Sequence, residues 1–138
     1  MKRGMLLALA LFVALTSGAR LYRPSHPVAL GHSNASLPLA YFWGIAGAES
    51  SFQADAVSPD GHDRGLWQFR DLYDAERGLV NPFDPVEATR HAVKLFSKNF
   101  AALGSVNKAV TAHKRGAGWT RRNGVDREYL AKVKGWGR

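Results

Sequence analysis

Leu39-Ala40-Tyr41-Phe42-Trp43-Gly44-Ile45-Ala46-Gly47-Ala48-Glu49-Ser50-Ser51-Phe52 is the run that decides the fold. Leu39, Phe42, Ile45, Ala46 and Glu49 recur at spacings of three and four, which puts them on one face of an α-helix. Ser36 is placed to cap its start, with Pro38 in the first turn, where a missing N–H costs nothing. Glu49 then closes a helix whose one face is buried. Its neighbours Phe42, Ile45 and Phe52 are apolar, and no lysine or arginine lies between Leu37 and Gln53. Such surroundings suit a proton donor. A lone glutamate at a helix end is ordinarily just exposed, so its neighbours further along the chain must decide between the two.

Ala56-Val57-Ser58-Pro59-Asp60-Gly61 comes next, and then Gly65-Leu66-Trp67-Gln68. The first is a turn, with Asp60-Gly61 a common turn pair. In the second, a glycine allows close backbone approach and an amide can both donate and accept hydrogen bonds. Trp67 either stacks on a ligand ring or packs in the core. An acid, a polar turn and a Gly-anchored aromatic-amide pair together suggest a carboxyl group beside a sugar-binding groove.

The order resembles the signature of the soluble-type (goose-lysozyme-like) lytic transglycosylases: E-S-x-F, then A-x-S-P-x-G, then G-L-M-Q. Trp67 stands at the Met position, and the Ser58–Gly65 spacing is longer by a single residue. The resemblance implies a lysozyme-like fold and one catalytic residue, Glu49, acting as acid and then as base. It implies peptidoglycan as substrate, cut at the β-1,4 bond between N-acetylmuramic acid and N-acetylglucosamine with a 1,6-anhydro product, and no cofactor. Ser58 and Gln68 would hold the glycan, together with Trp67 if it stacks. The family's later A-Y-N-x-G reads here Ala112-His113-Lys114-Arg115-Gly116. His113 would stand in for the tyrosine as a hydrogen-bond partner of Glu49, while Lys114 cannot imitate an asparagine acceptor and would point to solvent. Tyr129, with Leu130 and Val133, resembles the closing Y-V-x-x-V, whose tyrosine lines the site. The likeness runs from Leu39 to Val133.

Around this segment the chain reads as one domain: 138 residues are too few for two cores. It contains no cysteine, so neither a disulfide framework nor a cysteine zinc site is available. Residues 1–19 have a charged start (Lys2, Arg3), an apolar run from Met5 to Leu15 and the small residues Ser17-Gly18-Ala19. That is the pattern of an export signal, too short for a membrane span, and it predicts a periplasmic or cell-wall protein. Residues 20–36, with Pro24 and Pro27, read as a linker or arm, and 37–138 as the domain.

The expected domain is mainly α, with a loop-rich stretch over 53–83 after the catalytic helix. A short helical turn fits within Gln68–Arg77. Asp84-Pro85-Val86-Glu87 starts a helix running to about Phe100, with Ala88, Ala92, Leu95, Phe96 and Phe100 inward. Gly104 breaks it, and Ser105 caps the next, through Lys114. A last helix covers Asp126–Val133.

The formal charge of +8 is concentrated late, at residues such as Lys108, Lys114, Arg115, Arg121, Arg122 and Lys132. A basic face attracts polyanions. Export points to the anionic wall, with a cell-envelope assembly as a further partner, rather than nucleic acid; the protein would act as a monomer. The five histidines show no metal-ligand spacing. Three other readings stay open at this point. A hydrolytic lysozyme would take a second carboxylate from Asp55, Asp60, Asp63 or Asp71. A non-catalytic wall-binding protein would explain His113 and Lys114. A nucleic-acid binder would require retention in the cytoplasm.

Overall fold

The computed structural model describes residues 39–70 and 77–137. The export-signal segment, the arm, the Ser36 cap, Pro38 and Asp71 lie outside the described residues. Within them the chain is mainly α, as expected. Helices α1 (Leu39–Ser50), α2 (Pro85–Leu103), α3 (Val106–Arg115), α4 (Ala117–Asn123) and α5 (Arg127–Trp136) surround one short hairpin, β1 (Asp63–Arg64) and β2 (Phe69–Arg70).

Helix α1 is more deeply placed than a one-faced helix. Every residue from Phe42 to Ala48 is buried. A helix that is apolar all round belongs in the centre of a domain, and the small residues Gly44 and Gly47 let α5 lie directly on it. A Cβ on Gly44 would stand 2.3 Å from the Val133 carbonyl oxygen, and one on Gly47 would stand 2.7 Å from the Trp136 ring. On another side Phe42 meets Phe96 of α2 at 5.0 Å between ring centroids and Trp67 at 6.0 Å. The central helix thus carries Glu49 to the surface from inside the core.

The chain leaves α1 through two consecutive non-glycine residues with positive φ, Ser51 (53°) and Phe52 (65°). Each such residue costs backbone energy, which local contacts offset. The Phe52 ring sits 4.8 Å from Trp43 and 5.6 Å from Trp136. The Ser50 hydroxyl lies within hydrogen-bond reach of the carbonyls of Ala46 (3.0 Å) and Leu66 (2.8 Å). The end of α1 is thereby tied to the hairpin.

In that hairpin Asp63 pairs with Arg70 and Arg64 with Phe69, antiparallel. Its turn is Gly65-Leu66-Trp67-Gln68, closed by the Gln68 N–H to the Gly65 carbonyl at 3.2 Å. Gly65 has φ +78°, and a Cβ there would lie 1.9 Å from the Pro82 oxygen, so only glycine fits. Leu66 and Trp67 point into the core, and the Trp67 indole N–H donates to Thr89 Oγ1 at 2.9 Å. At the start of the stretch expected to hold a short helical turn the chain forms β2 through Arg70; the rest of it, residues 71–76, lies outside the described residues.

Helix α2 starts as its sequence dictates: the Asp84 side chain accepts from the Val86 and Glu87 N–H groups, and Pro85 follows it. Glu87 does not reach back to its cap. It accepts from the N–H groups of Val80 (3.1 Å) and Asn81 (3.4 Å), fastening the incoming loop. The helix runs one turn past the expected end, to Leu103, where Gly104 adopts a left-handed conformation. Phe100 is exposed rather than inward, because α3 turns away at Gly104. Ser105 caps α3 as expected. Helix α4 is an addition to the expected elements: Gly116, expected only to end α3, also begins α4, and buried Thr120 donates back to its carbonyl at 2.8 Å.

Candidate active site

Glu49 sits half-buried in the last turn of α1, at the edge of a cleft of about 1000 Å³. The hairpin supplies Asp63, Gln68, Phe69 and Arg70 to this cleft, α2 supplies Leu95, Lys98 and Asn99, and the α3–α4 corner supplies residues from Ala112 to Ala117 and Arg121. Of the residues singled out in the sequence, Glu49, Gln68 and His113 line it. Ser58, Trp67 and Tyr129 do not.

The partner of Glu49 is Tyr129. Its hydroxyl donates to Glu49 Oε1 at 2.5 Å across eighty positions of sequence. Tyr129 is buried in α5 and is not among the residues that line the cleft, so its hydroxyl holds the Glu49 carboxyl group from the core side. Burial, then the charge of Glu49 and the hydrogen bond to it, push the phenol well above its ordinary pKa. It therefore stays protonated and can only donate to this carboxylate oxygen. Its backbone is held as firmly: Asp126 caps α5 by accepting from the Tyr129 N–H at 2.9 Å, Arg115 pairs with the same carboxylate at 2.8 Å, and the Asp126 N–H donates to Thr111 at 3.1 Å. The Tyr129 N–H and then the Arg115 guanidinium hold the Asp126 carboxyl below its ordinary range.

This placement makes Tyr129→Phe an informative variant. A phenol whose folded pKa is raised stabilises the fold fully below its unfolded value of about 10 and loses that contribution as pH rises from there through the raised folded value. Thermal melts at about pH 8 and about pH 11 should show a larger alkaline loss for the wild type than for the variant. At neutral pH the variant should be less stable by about 1–2 kcal/mol, the worth of a charge-assisted hydrogen bond. Equal alkaline losses would contradict the placement of this phenol.

His113 is not a substitute partner of Glu49. Its Nε2 lies 3.0 Å from the Trp67 carbonyl oxygen. A carbonyl only accepts, so Nε2 carries a proton. The ring packs against Trp67 and Phe69 at centroid distances of 5.8 and 5.6 Å. It braces the hairpin from the cleft wall. Lys114 is exposed, as expected, and also lines the cleft with its ammonium 5.1 Å from the Tyr129 ring centroid, a cation–π contact.

Trp67 is core, 1% exposed, and offers no face to a ligand. Ser58 is engaged in its turn, donating to Asp60 Oδ1 at 2.6 Å and accepting from the Asp63 N–H at 3.0 Å. Gln68 uses its amide nitrogen on the carbonyls of Gly65 (2.9 Å) and Ala56 (3.2 Å), which leaves the amide oxygen as its acceptor toward ligand. Its φ of 49° shows how tightly the turn is drawn to put it there.

Among the described residues one other carboxylate, Asp63, lines the cleft, and it is paired with Arg70 at 3.0 Å. Asp60 shares that arginine and is held below its ordinary pKa by the Ser58 hydroxyl and then the His62 N–H. Asp55 is exposed, away from the cleft lining. Glu49, by contrast, meets no cation in an ion pair among the described residues. Arg77, Lys98, Asn99 and Arg121 are cleft residues that sequence patterns did not single out for a site role.

The model of the family described as the transglycosylase SLT domain matches residues 30–133. No curated protein and no solved structure matched the chain. The match covers most of the sequence and spans α1 to α5, including the Glu49–Tyr129 pair, and on that evidence the chain belongs to the transglycosylase SLT domain family.

Proposed function

We propose that this chain is a peptidoglycan lytic transglycosylase with Glu49 as its single acid and base. The observation that carries the reading is the asymmetry of the cleft carboxylates among the described residues: there Glu49 has a phenol donor and no cation, whereas Asp63 is tied to an arginine. Glycosidases that hydrolyse ordinarily use two carboxylates. One free acid fits a reaction that needs only one.

The step balances without water. The Glu49 carboxyl gives its proton to the oxygen leaving C1 of N-acetylmuramic acid, and the C1–O bond to N-acetylglucosamine breaks. The resulting carboxylate then takes the proton of the muramic 6-hydroxyl as that oxygen bonds to C1. The products are a 1,6-anhydro end and a free 4-hydroxyl, and Glu49 is again protonated. Tyr129 stabilises the carboxylate between the two transfers. Gln68, through its amide oxygen, accepts from a sugar hydroxyl or an N-acetyl N–H. The export-type residues 1–19 support action in the periplasm or wall, on glycan strands, as a monomer or within an envelope assembly.

Purified protein incubated with insoluble peptidoglycan should release soluble muropeptides ending in anhydro sugar, read by mass spectrometry. Reducing ends alone would make it a muramidase. Stable binding without release would make it a wall-binding protein that kept the fold, the reading that Lys114 in the motif motivates.

A further inference from the structure

Helix α5 lies closest to α1 where Gly44 meets Val133 and Gly47 meets Trp136, one and two turns beyond Tyr129. The first turn of α5, which carries Tyr129, is anchored to a different helix. Asp126 makes that joint with all four of its polar atoms. Its Oδ1 accepts from the Tyr129 N–H at 2.9 Å, and its Oδ2 accepts from Arg115 Nε at 2.8 Å. Its own N–H donates to Thr111 Oγ1 at 3.1 Å, and its carbonyl accepts from the Leu130 N–H at 3.0 Å. Arg115 and Thr111 both belong to α3. One residue thus fastens the start of α5 to α3.

The joint is stiff for identifiable reasons. The Asp126 side chain is 8% exposed and that of Arg115 45%. The carboxylate therefore holds its charge mostly away from water and depends on the donors around it. Thr111 is fully buried, and its hydroxyl is fixed by donating to the Asn107 carbonyl at 3.0 Å. The Arg115 guanidinium rests 5.1 Å from the centroid of the Trp119 ring, a second attraction that keeps it in place. Asp84 offers a contrast: its side chain caps α2 through Val86 and Glu87, within its own helix.

We propose that Asp126, gripped by Arg115 and Thr111, is a positioning residue for Glu49: it fixes the first turn of α5 so that the Tyr129 hydroxyl meets the carboxyl group. Asp126 is not among the residues that line the cleft, so it acts through Tyr129. The phenol oxygen stands a whole side chain away from the N–H that Asp126 holds. A slight tilt of that turn is therefore magnified where the hydroxyl meets Glu49 Oε1. The effect on rate rests on Glu49 as the acid; the effect on the phenol does not.

Two readouts on the full-length protein separate these effects. Tyrosine labelled with heavy carbon at Cζ reports the hydrogen bond of each phenol by NMR, and Tyr129→Phe assigns the signal. Values of kcat and KM on soluble glycan strands report the reaction. Asp126→Ala should move the Tyr129 signal and lower kcat by about 10- to 100-fold, the scale expected when a remote change misplaces a working group. KM should stay near the wild-type value. Asp126→Asn keeps an oxygen for the Tyr129 N–H but loses the charge that pairs with Arg115, so it should fall between. Thr111→Val should move the same signal by less. Asp84→Ala is the control: it loses a cap of the same kind, and should lower Tm while leaving the signal and kcat as in wild type.

If Asp126→Ala fails to fold, Asp126→Asn and Thr111→Val carry the test. A Tyr129 signal that stays put in Asp126→Ala, or in both milder variants, would overturn the proposal. So would a moved signal with kcat at the wild-type value, or an equal loss of kcat in Asp84→Ala, which would make the effect one of stability alone. A wild type that cuts no glycan, with the signal still moved by Asp126→Ala, would sink the enzyme reading and keep the positioning of the phenol.

Discussion

Glu49→Gln should lower the rate of glycan release by about 10²–10⁴, the usual worth of a positioned general acid, and should leave the fold in place. Glutamine has nearly the same shape, and its carbonyl oxygen can still accept from the Tyr129 hydroxyl that now holds Oε1 at 2.5 Å. It cannot give up a proton to a leaving oxygen. Among the described residues the other cleft carboxylate, Asp63, is paired with Arg70 and does not replace it. Release from insoluble peptidoglycan measures the first effect and a thermal melt the second. A variant that melts like wild type and retains more than about a tenth of its rate would remove Glu49 from the role of acid.

The largest structural effect should come from Gly44→Ala. The new Cβ would lie 2.3 Å from the Val133 carbonyl oxygen and 2.9 Å from its Cγ1. The nearer obstacle is backbone, which cannot swing aside as a side-chain tip can. Helix α5 must move off α1 as a body, and Tyr129 moves with it. Overpacking of this kind costs about 3 kcal/mol, which for a domain of this size lowers Tm by about 10 °C. Because the phenol leaves Glu49, activity should fall further than the unfolded fraction explains. Gly135→Ala is the matching control on α5: nothing lies within 4 Å of its Cβ. There alanine should stabilise by about 0.5–1 kcal/mol through helix propensity. Denaturant melts of both variants check the pair; a neutral Gly44→Ala would contradict the close approach of α1 and α5.

The contrast between those glycines also shows what could be read in one dimension. The ends of α2 and the start of α3 were legible because Asp84-Pro85, Gly104 and Ser105 act locally. Burial of α1 on every side was not. Gly44, Gly47 and Ala48 contribute little to an apolar period, and what they permit depends on a helix about ninety residues later in the chain. Helix α4 escaped notice because it is seven residues long and bounded by Gly116 and Gly124.

The places of Glu49 and Gln68 at the cleft were legible. Their local motifs constrain the turn that places them. Less legible were positions with two faces to choose from, of which Trp67 packs in the core, one of the two readings its sequence left open. Trp67 turned inward to Thr89, and His113 turned to the Trp67 carbonyl instead of the carboxyl group. Tyr129 was identified as a site residue, and its hydroxyl meets Glu49 from outside the cleft lining. Motifs name such residues; which neighbour each one meets is decided by packing.

The central claim is that the muramic 6-hydroxyl, and not water, closes the reaction at C1 with Glu49 as its only acid and base. Digestion of peptidoglycan in heavy-oxygen water tests it most directly. The account predicts anhydro ends with no heavy oxygen incorporated, and almost no product from Glu49→Gln under the same conditions. Reducing ends labelled with heavy oxygen would contradict it.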